Sequence, residues 1–196
     1  MAYYNKMGKV FLSITMSLDG FTAGTGITQE NPMGLNGQLL HKWLFASKQK
    51  EDEEVASDMF KNCGAVILGS TTYKTAINGV WECQSPFPVP ALILSSKKMD
   101  VNKGFIVVNH GIQTALSLAK SIAKEKNILV MGGANVAQQF LEDDLLDEVN
   151  LHIAPILLGC GTRLFEKQNN RMLELTKLRV VETPGATHLF LKPAGK

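Results

Sequence analysis

The sequence predicts an α/β protein built on one mixed, mostly parallel sheet with helices on both faces, ending in an antiparallel hairpin. Three observations carry that expectation. Residues 64–69 (GAVILG), 91–94 (ALIL) and 128–131 (ILVM) are short apolar runs, as expected of strands covered on both faces. Between 105–108 (FIVV) and 128–131, Ile112, Ala115, Leu116, Ala119, Ile122 and Ala123 recur at helical spacing, so a helix links two strands in a unit that should be parallel and right-handed. Residues 173–182 and 187–192 flank Thr183-Pro184-Gly185-Ala186 and read as a hairpin.

Size and composition set the frame. At 196 residues, 45% hydrophobic and 19% charged, the chain is expected to form a single domain over residues 1–196 with a full core. A net charge of +2 without a dense Lys/Arg cluster disfavours nucleic acid as a partner. Cys63, Cys83 and Cys160 are odd in number and form no CxxC pair, which fits a reducing compartment. Leu12, Ile14, Met16 and Leu18 alternate with Ser13, Thr15 and Ser17, a strand pattern rather than a leader. No apolar run approaches membrane-spanning length. A soluble cytoplasmic protein with no membrane partner is expected.

In order, 9–18 is the first strand, and Ser17, Asp19 and Gly20 form its exit. A hydroxyl and a carboxylate at a strand's C-terminal end suit a cleft in an open α/β sheet, and an ordinary turn suits them equally. Residues 21–38 carry four glycines and no period, a long loop able to fold over a substrate. In 39–45 (LLHKWLF) a short helix is expected with Leu40 and Trp43 or Leu44 inward. His41 and Trp43 can line a pocket for a flat ring, or Trp43 can be core. Glu51, Asp52, Glu53 and Glu54 open the next helix, where they suit its dipole and are expected to be solvated; no metal site is expected.

Ser70 and Thr71 begin a helix after 64–69, and their hydroxyls either cap it or bind an anion with its amides. Ser95, Ser96, Lys97 and Lys98 follow 91–94 as a phosphate-holding set or as a solvated turn. Glu142, Asp143, Asp144, Asp147 and Glu148 are expected to face water. A long strand over 149–158, broken at Pro155, leads into Gly159-Cys160-Gly161, which lacks the third glycine and helix of a dinucleotide fingerprint.

Residues 127–141 (NILVMGGANVAQQFL) organise the chain. A strand stops at Gly132-Gly133, and a helix starts at Ala134 with Asn135 in its first turn. Free amides at a positive helix end, with no Cβ in the way, suit a phosphate or pyrophosphate; a tight turn with no ligand has the same sequence.

Taken together, SLDGF at 17–21, LHKWLF at 40–45, ILGSTTY at 67–73, LILSS at 92–96, VMGGANVAQQFL at 130–141 and LHIAPILLGCGTRLF at 151–165 resemble the dihydrofolate-reductase-like superfamily. The resemblance is greatest to the reductase domain of the riboflavin-biosynthesis deaminase–reductases and their stand-alone relatives. It implies a three-layer α/β/α fold and a bound NADPH. Gly132, Gly133, Ala134 and Asn135 would hold the pyrophosphate, with Gly69, Ser70 and Thr71 beside the phosphates and Ser95, Ser96 and Lys97 at the adenosine 2′-phosphate. Ser17 and Asp19 would be catalytic, and Gly20, His41, Trp43 and Arg163 would meet the small-molecule substrate; Lys177 is a further phosphate candidate. The implied reaction is hydride transfer to a phosphoribosylamino-pyrimidine, as in 5-amino-6-(5-phosphoribosylamino)uracil reductases. A homodimer is expected by base rates and family analogy.

Two departures bear on this. Relatives usually carry Arg where this chain has Ser70, so a bidentate phosphate contact is missing. Residues 36–46 contain no acid of the kind a dihydrofolate reductase places against a pterin. No His-x-Glu or Pro-Cys-x-x-Cys is present, so the zinc-dependent deaminase half is absent from this sequence. A pterin-type reductase and a nucleotide-binding module without turnover are the alternatives.

Overall fold

A computed structural model describes residues 8–166 and 172–195. Strands β1 (Val10–Ser17), β3 (Cys63–Gly69), β4 (Ala91–Leu94), β5 (Phe105–Val108), β6 (Asn127–Gly132) and β7 (Glu148–Ala154) are mutually parallel. They join the antiparallel pair β9 (Leu175–Glu182) and β10 (Thr187–Pro193) in one eight-stranded sheet, ordered β5-β4-β3-β6-β1-β7-β10-β9. The C-terminal hairpin is therefore present, and β10 is the strand that turns the sheet from parallel to antiparallel.

The strands read as apolar because both faces are covered. On one face Val10, Leu12 and Ile14 of β1, with Ile67 and Val130, meet α4 (Gly111–Ala123) and α5 (Ala134–Glu142) through Ala115, Ala119, Ala137 and Phe140. On the other, Phe11, Val66, Leu68 and Ile93 meet Tyr73 and Ile77 from α3 (Ser70–Ala76) and the residue after it. Further along that second face, Trp43 and Val55 of α1 (Lys42–Phe45) and α2 (Lys50–Lys61) pack with Ala186. The result is three layers, α/β/α.

Four expectations change. The unit β5–α4–β6 is parallel, but β4 and β3 lie between its strands, because β6 pairs with β3 and β1 instead. Residues 21–38 do not form one open loop. Phe21–Ala23 is a short strand, β2, paired antiparallel with β8 (Thr162–Arg163), and the rest closes on itself through Gly24 N–H to the Met33 carbonyl and Leu35 N–H to the Thr25 carbonyl. That closure needs glycine at 24, where a Cβ would lie 2.0 Å from the Leu35 carbonyl oxygen. Asp52 is not solvated: it is 1% exposed and bonded on all sides. Asp147 is exposed as expected, its carboxylate accepting the Val10 N–H at 2.8 Å, but Glu148 does not simply face water: it is half-buried and its Oε1 accepts from Lys9 Nζ.

A 3-10 turn, Gly37–His41, leads into α1, with Leu40 and Trp43 buried as expected. Strand β7 ends at Ala154, one residue before Pro155, whose ring cannot continue the ladder. Among the described residues no helix is long and apolar enough to cross a membrane.

Candidate functional site

Parallel strands share one carboxyl end, and most of the sequence-predicted site residues follow it. Ser95–Lys97 come after β4, Gly69–Thr71 after β3, Gly132–Asn135 after β6, and Ser17–Gly20 after β1, so the four segments lie side by side in the sheet's own order. In open α/β sheets that edge is where ligands bind.

At its centre β6 stops at Gly132 (φ +100°), where a Cβ would press on Ile14 Cδ1 at 3.1 Å. The Gly132-Gly133 peptide is cis. Gly133 then caps α5, and neither a side-chain cap nor an acid occupies that first turn. Amides of the first helical turn have no intrahelical acceptor, so this end presents donors and positive potential to whatever lies beyond it. The neighbouring α3 also starts without a side-chain cap or an acid. Thr72 stitches the two starts together: its Oγ1 accepts the Gly133 N–H at 3.2 Å. Gly69 packs below, where a Cβ would meet Val136 Cγ2 at 3.2 Å. These two acid-free helix starts, walled by glycine, fit a phosphate-bearing group.

Ser95 differs from its neighbours. Its hydroxyl donates to the Lys97 carbonyl at 2.7 Å and accepts the Lys97 N–H, closing a turn, while Ser96 and Lys97 are exposed.

Ser17 and Asp19 are engaged with one another and with the backbone. The fully buried Ser17 hydroxyl donates to Asp19 Oδ1 and accepts the Phe21 N–H. Asp19 also accepts the Leu158 and Gly159 amides at 3.1 and 2.7 Å. The Ser17 hydrogen bond, with those two amides, holds its pKa down to about 2. Such a carboxylate is ionised throughout the neutral range and gives no proton; it pins the loop after β7 to the exit of β1.

Arg163 is beside this knot. Its guanidinium lies 4.3 Å over the Phe21 ring and donates to the Asp19 carbonyl at 3.3 Å. Leu164 N–H to the Gly20 carbonyl closes the same contact. Lys177 is elsewhere, on β9, the far edge strand.

Trp43 is core rather than pocket wall: it is 2% exposed and donates its indole N–H to Thr15 Oγ1 at 3.1 Å. His41 retains a buried Nδ1 with no hydrogen-bond partner, and burial takes its pKa down to about 4.

Sequence reasoning missed Thr72, and it missed a buried row formed by Ser13, His152, His188 and Asp52. Thr72 was legible only as one of several hydroxyls in a helix start. The row joins four residues from four elements, and no local pattern announces it. Among the described residues no group of three or more His, Cys, Asp or Glu gathers that could hold a metal ion.

Comparison with known proteins agrees with this architecture. The uncharacterised protein YwjB of Bacillus subtilis (strain 168) is 28% identical over 177 residues, which cover 89% of this chain and 90% of that protein. A candidate riboflavin biosynthesis protein from Shewanella sp. PV-4 superposes with a TM-score of 0.72 at 20% identity, covering 94% of this chain and 98% of that one. Dihydrofolate reductase from Enterococcus faecalis, complexed with NADP(H) and RAB-propyl, gives 0.62 at 14% identity over 98% and 99%. Acinetobacter baumannii RibD gives 0.64 at 19% identity, with 96% of this chain spanning 59% of that longer protein. These likenesses show the dihydrofolate-reductase-like fold. The family model described as the RibD C-terminal domain matches residues 8–189, nearly the whole described sheet, and the chain belongs to that family.

Proposed function

We propose that the protein is an NADPH-dependent reductase acting on a phosphoribosylamino-pyrimidine or a similar small substrate, as one reductase domain and as a homodimer in the cytoplasm. The observation that carries this reading is the meeting of two acid-free helix starts, α3 and α5, at Gly132-Gly133 and Thr72 in the middle of the sheet's carboxyl edge. Family membership and the NADP(H) complex of the E. faecalis relative support it.

NADPH would supply a hydride from its nicotinamide. The chain's part is to bind, orient and keep the site dry. Gly132, Gly133, Ala134 and Asn135 would hold the pyrophosphate, Gly69, Ser70 and Thr71 would stand beside it, and Ser96 and Lys97 would meet the 2′-phosphate on a turn shaped by Ser95. Gly20, His41 and Arg163 would face the substrate. Ser17 and Asp19 serve this site by holding the 157–159 loop in place. The pterin-type alternative gains no support, because Asp19 and Asp52, the carboxylates nearest the carboxyl half of β1 on its helix-α1 side, are committed to protein donors.

Calorimetric titration of the purified protein with NADPH and, separately, NADH tests the reading. Tighter binding of NADPH by ten-fold, worth about 1.4 kcal/mol, is expected. Binding of neither nucleotide would refute both the cofactor and the reductase assignment.

A further inference from the structure

Four side chains cross the protein interior in a single file. Ser13 Oγ lies 2.8 Å from His152 Nε2, His152 Nδ1 lies 2.8 Å from His188 Nδ1, and His188 Nε2 lies 2.8 Å from Asp52 Oδ1. None is more than 6% exposed. Trp43 packs against both imidazoles, its ring centroid 4.6 Å from His152 in a tilted contact and 4.7 Å from His188 edge to face.

Donor accounting fixes the direction of every bond when Asp52 is ionised. The carboxylate accepts His188 Nε2–H, so neutral His188 offers its Nδ1 lone pair. His152 must then donate from Nδ1, and its Nε2 accepts the Ser13 hydroxyl. One more proton fits by shifting two of the bridging protons one place each, while His188 Nε2–H stays on Asp52. The Ser13 proton moves to His152 Nε2, the His152 Nδ1 proton moves to His188 Nδ1, and the incoming proton takes the serine oxygen. The new hydroxyl points at Met59 Sδ, 3.1 Å away. His188 is then an imidazolium against the Asp52 carboxylate, His152 is neutral, and no donor faces another donor.

We propose that this row is a binding site for one proton, held as imidazolium on His188, whose filling reverses the two hydrogen bonds that run from His188 through His152 to Ser13 and is felt by Trp43. Geometry also ties it to the candidate cleft. Asp52 accepts the Ser47 and Thr183 hydroxyls, joining α2, the loop ahead of it and the β9–β10 turn, and register Thr187 to Ile153 puts that turn at the carboxyl end of β7.

The surrounding charges agree on which ring fills. Burial holds His152 down to about 3, with the His188 and His41 charges adding to it. Burial also lowers His188, opposed by Asp52 and assisted by Arg179, whose guanidinium stacks on Phe190 and lies 4.0 Å from Asp58. The row is therefore empty at neutral pH, and His188, next to the carboxylate, fills first. None of this depends on the reductase assignment.

The chain has two tryptophans, so a Trp81→Phe protein leaves Trp43 as the only indole emitter. An adjacent imidazolium quenches indole fluorescence. Acidification from pH 8 should quench Trp43 in one single-proton step below pH 6.5, with the far-UV circular dichroism unchanged. In nitrogen-15 NMR of the unaltered protein, the same step should give His188 a second N–H and move the His152 proton from Nδ1 to Nε2. Asp52→Asn removes the carboxylate against which the imidazolium is held and should lower the step by about one pH unit or more. Flat emission, unfolding ahead of the step, a His152 Nδ1–H that persists through it, or a step unmoved by Asp52→Asn would each overturn the proposal.

Discussion

Asn135→Asp separates a phosphate-binding helix start from an ordinary one, because the two quantities it changes move in opposite directions. Asn135 is exposed in the first turn of α5, and its Oδ1 accepts the Gln139 amide at 2.7 Å, a bond that aspartate keeps. That turn holds no acid. A carboxylate there interacts favourably with the helix dipole, worth about 0.3–1 kcal/mol, and raises Tm by roughly 1–3 °C for a chain of this size. Against a bound pyrophosphate the same charge is repulsive. At ~7 Å and an effective dielectric of ~40–80, each phosphate charge costs about 0.6–1.2 kcal/mol. Two such charges weaken NADPH by roughly 8- to 60-fold. The loss should shrink at high salt, as screening requires. Calorimetry and thermal unfolding on the same preparation measure both, with Asn135→Ala as the neutral control. A raised Tm with unchanged affinity would remove the cofactor phosphates from this helix and refute the argument.

Three further outcomes are expected. Ser70→Arg, which adds a guanidinium at the first position of α3, should tighten NADPH by about ten-fold, ~1.4 kcal/mol, and an unchanged titration would mean that the first residue of α3 does not face a phosphate. Asp19→Asn should speed hydrogen exchange at Leu158 and Gly159 by an order of magnitude or so, since an amide NH2 would oppose one of their N–H groups; lost turnover with those amides still protected would instead restore Asp19 as a catalytic group. Stability should fall as pH drops below 6.5. His41 and His152 are neutral in the fold, with pKa values near 4 and 3 against an ordinary 6.5, so the unfolded chain binds the extra protons. At pH 5.5 each neutral imidazole costs about 1.4 kcal/mol of stability, measurable by urea unfolding, and a flat profile from pH 7 to 5 would contradict their burial.

The fold was legible because its information is local. Runs such as Val66–Leu68 and Leu129–Val130 are apolar on consecutive positions, which only a strand buried on both faces tolerates, and α4 announces itself by spacing. Strand order is not local. That β6 slots between β3 and β1 depends on which edges are free when it arrives, and nothing in residues 127–132 encodes it. The candidate site divides in the same way. Gly132-Gly133 was readable since glycine reports a backbone requirement, here a positive φ and a close approach to Ile14. Arg163, named from the resemblance as a substrate contact, lies beside Asp19, a neighbour that its own stretch of sequence does not reveal.

Residues whose meaning depends on a distant partner were misjudged. Asp52 stands in a run of four acids at a helix start, where solvent exposure is the ordinary outcome, and only the arrival of His188 from 136 positions away turns it inward. Asp19 looked available for chemistry because a carboxylate at a strand exit has no visible partner in sequence, whereas the fold delivers two amides from 139 and 140 residues further on. Those two carboxylates exchange the roles that sequence suggests. Asp19, at the mouth of the cleft, is locked by fixed donors into one ionisation state and works as a clamp. Asp52, buried behind Trp43, faces a pair of imidazoles that can accept a proton, so the titratable chemistry on this side of β1 lies in the core and not at the strand exit.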